Sequence, residues 1–346
     1  MNEKPILAIC YDFDKTLTPD DMQAQGYIQS VGMNPAEFWK KSNSLANANE
    51  MDQNLSYMYN MKEEAAGRVV FTREKLEEYG GRIKLFPGVE EWFDRMRKMG
   101  DRHGVAVEHY IISSGLKEMI EGTALAKRGA FRKIYASSFF YNERGVAVWP
   151  AQVVNYTNKT QFLFRISKGC LDINDSSVND YLPPEKLRVP FRNMVYIGDS
   201  DTDVPCMKLV NANGGFSIGV YDPKRGENAK DKVFKMFREN RIGYFVPAIY
   251  SSGSELDKLL CRVIRIVSLR NRLELLSQRN KEEALFDKRD CELAAIVRNM
   301  ESLREKSKLD WNGLMSAPDL LMTIVESSKD MREGLFYKAL MDMLGK

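Results

Sequence analysis

Ile6-Leu7-Ala8-Ile9-Cys10-Tyr11-Asp12-Phe13-Asp14-Lys15-Thr16-Leu17-Thr18-Pro19 is the stretch that decides the fold. Ile6 to Tyr11 is a short apolar run of strand-forming residues. It reads as a strand buried on both faces, the pattern of a parallel sheet. The run stops abruptly at Asp12 and Asp14, two carboxylates spaced by one residue. Alternation along an extended chain points both side chains the same way. An isolated Asp-x-Asp is more often an N-cap or a turn. With the apolar strand before it and Thr-Leu-Thr after it, the pair reads as the floor of a crevice.

Outward from this point the chain alternates between strand and helix patterns. Met22 to Arg82 lacks strand alternation and reads as several helices. Phe86-Pro87-Gly88 is a turn, and Val89, Trp92, Phe93 and Met96 have helical spacing. A second buried strand, Val105 to Ile112, ends at Ser113-Ser114-Gly115 and leads into a helix from Leu116 to about Arg128. Ile134–Tyr141 and Ala147–Val154 read as a hairpin around Asn142-Glu143-Arg144-Gly145. Thr157 or Asn158 can cap a helix that runs to Gly169. A third buried strand, Met194 to Ile197, ends at Gly198-Asp199-Ser200-Asp201-Thr202-Asp203; a helix and a strand, Phe216 to Val220, follow. The fold class is therefore α/β, with a mainly parallel sheet and right-handed crossovers. In such sheets ligands bind beyond the carboxyl ends of the strands, where Asp12, Ser113 and Asp199 all sit.

Composition narrows the partners. Fifty-one basic and 48 acidic residues leave a net charge of +3, which makes no electrostatic case for nucleic acid or membrane. No stretch is apolar enough to span a bilayer. Cys10, Cys170, Cys206, Cys261 and Cys291 form neither a disulfide framework nor a zinc pattern. Reduced thiols and the absence of a signal-like N-terminus point to the cytoplasm.

Phosphoryl transfer needs an in-line nucleophile, a proton shuttle for the leaving oxygen and cations for the phosphate charge. Asp12 suits the first role and Asp14 the second. Carboxylates alone would repel a phosphate dianion, so the pattern calls for Mg²⁺, which takes oxygen ligands such as Asp12, Asp199 and a backbone carbonyl. His103 and His109 lack a Cys or His partner and read as ordinary structural residues.

Asp12-Phe13-Asp14-Lys15-Thr16-Leu17-Thr18 resembles the first motif of the haloacid dehalogenase-like hydrolases. Lys15 stands where many relatives have Gly. The resemblance implies a Rossmann-like core, a phosphorylated Asp12 and an acid/base Asp14. Ser113 resembles the second motif, whose hydroxyl binds phosphoryl oxygens, with Ser114 its competitor. Gly198-Asp199-Ser200-Asp201-Thr202-Asp203 resembles the fourth, which brings Asp199 and Asp203 into the metal shell with Asp12 and Asp14. Lys159, at a helix start, resembles the third-motif lysine; Lys168 is the alternative. A cation near a helix N-terminus opposes the macrodipole, so Lys159 there is in the service of something else.

The motifs span about residues 6 to 220 in family order. The block from 20 to 85 is similar to the helical cap of phosphoserine phosphatase-like members. The expected organisation is a core of 1–19 plus 86–254, a cap of 20–85 and a helical extension of 255–346. Trp39, Tyr57, Met58 and Met61 are expected in the cap interior, while Asn47, Asn49 and Asn54 are unranked candidates to face the site. The resemblance implies a Mg²⁺-dependent phosphatase acting on a small phosphorylated metabolite. A phosphotransferase or mutase is the enzymatic alternative, and a scaffold using the helical tail is the non-enzymatic one. A dehalogenase fits less well, because it has no use for Asp14.

Overall fold

The computed structural model describes residues 4–307. Of these, the residues up to 271 belong to one compact unit and those from 272 to a second. The first unit is built on seven strands in the order β4-β3-β2-β1-β5-β6-β7. They are β1 (Ile6–Tyr11), β2 (Ala106–Leu116), β3 (Lys133–Tyr141), β4 (Ala147–Gln152), β5 (Met194–Gly198), β6 (Phe216–Tyr221) and β7 (Tyr244–Pro247). Among the described strands only the β3–β4 pair is antiparallel.

The run Leu7–Tyr11 is wholly buried because β1 lies mid-sheet and supplies both faces. Leu7, Ile9 and Tyr11 enter one core with Ile111, Val195 and Ile197. Ala8 and Cys10 enter the other with Tyr110, Ile112, Met194 and Tyr196. The period of two along each strand thus becomes two cores.

Between β1 and β2 the chain is helical: a 3₁₀ turn at Met22–Ala24, then α1 (Tyr27–Ser30), α2 (Pro35–Ala48), α3 (Gln53–Ala65), α4 (Arg73–Gly80) and α5 (Val89–Arg102). Asn34, Asp52 and Thr72 cap α2, α3 and α4 with their side chains, which is why the helices start where they do. Tyr57, Met58 and Met61 are buried in this block, and Trp39 packs against it.

The single helix expected over 116–128 is two short ones, α6 (Lys117–Glu121) and α7 (Ala124–Lys127). Gly122 lies so close to α4 that a Cβ there would stand 2.0 Å from the Glu77 carbonyl oxygen. Thr123 then restarts the helix by accepting the Ala126 N–H. Asn142 Oδ1 accepts from the N–H groups of Arg144 and Val146, which sets the hairpin turn.

α8 (Lys159–Lys168) ends at Gly169, whose φ of 85° suits a left-handed cap. Asn158 precedes α8 without capping it. Its amide instead accepts from Asn155 N–H and donates to the Val153 carbonyl, bracing the loop. After β5 come α9 (Val204–Ala212), β6, α10 (Glu227–Arg238), β7 and α11 (Glu255–Ser307). Leu256, Leu260, Val263, Ile264 and Val267 of α11 are buried in the first unit. The described part of the second unit is helical through Ser307. The rest of the expected extension, 308–346, lies outside the described residues. No described helix is long and apolar enough to cross a membrane.

Candidate active site

Strand register assembles the site. Tyr11 is paired with both Ile111 and Ile197, so β1, β2 and β5 end at one edge of the sheet. Asp12 follows Tyr11 and donates its N–H to the Ile197 carbonyl at 2.9 Å. Ser113 and Asp199 each lie two residues beyond their paired isoleucine. Asp12, Asp14, Ser113, Ser114, Lys159 and Asp199 all line one cleft of about 250 Å³.

At its floor Lys159 is fully buried. Its Nζ donates to Asp12 Oδ1 at 3.1 Å and to Asp203 Oδ1 at 2.8 Å. Asp203 also accepts from Tyr196 OH at 2.9 Å and from Ser200 N–H at 3.3 Å. Gly198 permits this closeness, since a Cβ on it would fall 2.4 Å from Asp203 Oδ2. Lys168, at the other end of α8, donates to the carbonyl oxygens of Val178 and Asp180.

Asp12, Asp199 and Asp203 each offer an oxygen within 4.8 Å of the others. Burial pushes the Asp12 carboxyl up to about 6; the Lys159 ammonium pulls it back, and Asp203 pushes it further up. Burial, then Asp203 and Asp12, raise Asp199 to about 8. Burial works against the Lys159 charge, but Asp12 and Asp203 outweigh it and hold the amine protonated. Three crowded carboxylates with one ammonium among them form an all-oxygen donor set, which suits a hard divalent cation such as Mg²⁺.

Asp14 stands apart from that trio. Its Oδ1 accepts from Met22 N–H at 2.8 Å. Burial, then Asp21 and Asp12, hold its carboxyl well above the usual range. The Ser113 hydroxyl accepts from Gly115 N–H at 3.1 Å, while the Ser114 carbonyl is taken by Tyr57 and Ser137 hydroxyls. Lys15 takes φ 57° and binds both Asp21 oxygens at 2.7 Å.

His109 is sealed between the Tyr11 hydroxyl and the Phe93 carbonyl, and burial lowers its pKa, so it is a neutral core residue. Of the three asparagines singled out by sequence, Asn54 lines the cleft; Asn47 and Asn49 are exposed elsewhere. Trp39 and Tyr57 serve the cap interior and the cleft wall at once. Gln23, Gln53, Tyr156, Ser200, Thr202 and Lys232 also line it and were not anticipated. Of these only Ser200 and Thr202 had a signal, as the intervening residues of the Asp199–Asp203 loop.

The family model described as haloacid dehalogenase-like hydrolase matches residues 9–208. A Borreliella burgdorferi protein described as uncharacterized is 29% identical over 287 residues, covering 74% of this chain and 96% of its own. A haloacid dehalogenase-family hydrolase structure from Salmonella enterica serovar Typhi is 16% identical with a TM-score of 0.44; the match covers 64% of this chain and 63% of that one. A probable phosphoserine phosphatase structure from Vibrio cholerae is 15% identical with a TM-score of 0.49, covering 78% of this chain and 67% of that one.

Proposed function

The chain belongs to the haloacid dehalogenase-like hydrolases, and on that premise we propose that it is a Mg²⁺-dependent phosphatase that hydrolyses a small phosphomonoester through an aspartyl-phosphate on Asp12. One observation carries the reading. Two carboxyl groups one residue apart are both raised by burial but differ in their neighbours. Asp12 has the Lys159 ammonium at 3.1 Å pulling it back towards ionisation, whereas Asp14 has the carboxylates of Asp21 and Asp12 pushing it further up. Groups pushed apart in this way divide the roles of base and acid between them.

Ionised Asp12 attacks phosphorus, and the bond from phosphorus to the ester oxygen breaks. Protonated Asp14 gives its proton to the departing oxygen. Asp14, now a carboxylate, takes a proton from water as that water attacks the phosphoryl group. Asp12 is freed and inorganic phosphate leaves. Lys159 and the Ser113 hydroxyl hold the non-bridging oxygens. Asp12 and Asp199, with Asp203 behind them, are the residues to hold Mg²⁺, which when bound supplies positive charge against the phosphoryl oxygens. Asp203 also holds Lys159 in place.

The cleft volume suits a small metabolite, lying just under the ~300–1,000 Å³ of ordinary small-molecule sites. Cys10, Cys170, Cys206 and Cys261 carry free thiols, which fits a reducing, cytoplasmic setting.

The test is hydrolysis of p-nitrophenyl phosphate. Activity is expected with Mg²⁺, should vanish with EDTA and should return on adding Mg²⁺. Full activity after rigorous metal removal contradicts the metal's role. No hydrolysis at any Mg²⁺ concentration contradicts the function.

A further inference from the structure

The wall opposite the carboxylates differs in kind from the floor. The helical block supplies Gln23, Trp39, Gln53, Asn54 and Tyr57 to the cleft, and the loop before α8 supplies Tyr156. None carries a charge. Asp21, at the joint between core and helices, is occupied through both oxygens by Lys15. The other charged lining residues belong to the core strands' ends, α8 and α10.

Among the described residues, buried side-chain polar atoms without a partner occur on Thr16, Gln23, Asn60, Glu118, Arg165 and Ser167, and of these residues Gln23 alone lines the cleft. It is 2% exposed and lines the cleft, yet its Oε1 is buried with no hydrogen-bond partner among the described residues. Among the described residues no bond from its Nε2 is found either. Leaving a buried amide unmade costs about 1–3 kcal/mol, so a group left this way calls for a reason. Its position gives one. Met22, its neighbour, is tied by its N–H to Asp14, the residue that serves the leaving oxygen. Gly115 keeps this arrangement tight: a Cβ on it would lie 2.2 Å from Met22 Cε and 2.9 Å from Asp14 Oδ2. Gln23 therefore borders the space of the alcohol that departs, away from the phosphate.

Resting on the phosphatase reading above, we infer that the leaving group is an uncharged, hydroxyl-bearing alcohol of sugar or polyol type, and that the orphan amide of Gln23 selects it. A hydroxyl both donates and accepts, which matches an amide carrying one acceptor and two donors. Trp39 and Tyr57, packed edge to face at 5.8 Å, give the carbon side of such an alcohol an apolar surface. An amino-acid phosphate such as O-phosphoserine would bring an ammonium and a carboxylate against the neutral side chains of Gln23, Trp39, Gln53, Asn54, Tyr57 and Tyr156, where neither meets a counter-charge and both are desolvated at a cost.

The experiment compares kcat/KM for ribose 5-phosphate, glucose 6-phosphate, O-phosphoserine and p-nitrophenyl phosphate in the wild type and in Gln23→Leu, with Mg²⁺, alongside thermal melts. The wild type should prefer at least one sugar phosphate to O-phosphoserine by tenfold or more. Gln23→Leu should lower the ratio of sugar phosphate to aryl phosphate by about tenfold, the size of one neutral hydrogen bond. Its melting temperature should equal or exceed the wild type's, because the fold loses no bond. A preference for O-phosphoserine overturns the inference, and so does an unchanged ratio, with or without a fall in melting temperature. Should Gln23→Leu fail to fold, the amide is structural and the selective role is overturned; the wild-type ranking then decides the alcohol class alone. Hydrolysis of p-nitrophenyl phosphate with the wrong ranking rejects this inference and spares the phosphatase reading. No hydrolysis of any ester rejects both.

Discussion

The two ends of the cleft are built from different materials. At the floor, Asp12 follows β1, Tyr196 lies in β5, Asp203 in the turn before α9 and Lys159 at the start of α8; they are almost wholly buried and satisfy one another by hydrogen bonds. At the wall the inserted helices present neutral amides and aromatic rings, one amide being unpaired. A few hydrogen bonds hold the wall to the core: Asn54 Nδ2 to the Val154 carbonyl, Asn155 Nδ2 to Asp52 Oδ2, and Tyr57 OH to the Ser114 carbonyl. The contrast separates labour. On the function proposed above, the fixed charges of the floor would carry bond making, which rewards preorganisation. The neutral wall would rank the alcohols.

The largest effect in breaking this contrast should come from Lys159. Lys159→Met leaves two buried carboxylates without their cation, a loss of about 3–5 kcal/mol in unfolding free energy for a broken buried pair. Aryl phosphatase activity should fall about 10²–10³-fold, as for removal of one preorganised donor. Lys168→Met, on the same helix but bonded only to loop carbonyls, should lower kcat less than twofold. Urea melts and initial rates check both, and equal kinetic effects would remove the distinction between them.

A smaller effect comes from pH. Asp199, raised to about 8, and Asp12, raised to about 6, hold protons in the folded chain that the unfolded chain has already released near pH 4. Their contribution to stability is complete below that pH and is lost as pH rises through about 6 and then 8. The metal-free protein should therefore melt lower at pH 8 than at pH 5.5, and Asp199→Asn should flatten that slope. Mg²⁺ should raise the melting temperature more at pH 8 than at pH 5.5, since protons compete with it at the lower pH. An equal rise at both would contradict the assignment of the carboxylate trio to the metal.

The smallest effect belongs to the joint between wall and floor. Asn155→Ala removes the bond to Asp52 without touching the reacting groups. It should raise KM two- to tenfold for an ester with a polar alcohol and change kcat little, in line with one hydrogen bond. A large loss of kcat with unchanged KM would show that the joint positions the floor as well.

The floor was far more legible in the sequence than the wall, for physical reasons. An apolar run that stops at Asp12-x-Asp14 encodes both a strand and its carboxylate-bearing end, so β1 and the crevice follow together. Lys159 was readable as a cation at the wrong end of a helix, although its burial depends on Asp12 and Asp203, which are 147 and 44 residues away. Gln23 has no such pattern. A glutamine in a short 3₁₀ turn is ordinary until its lack of a partner is seen in three dimensions. β7 escaped notice because Tyr244–Pro247 is four residues long and ends in proline. The sequence over 116–128 has the pattern of one continuous helix, because its break lies in the close approach of Gly122 to α4, a tertiary fact that periodicity does not contain.

The most direct test of the division of roles between Asp12 and Asp14 is intact mass after rapid quenching. Each of Asp12→Asn and Asp14→Asn is mixed with p-nitrophenyl phosphate and Mg²⁺ and then quenched. Asp14→Asn should carry a phosphoryl adduct on Asp12, because nitrophenolate departs without a proton while the attacking water is no longer activated. Asp12→Asn should carry none. An adduct on Asp12→Asn, or one that maps away from Asp12 in Asp14→Asn, would contradict the account.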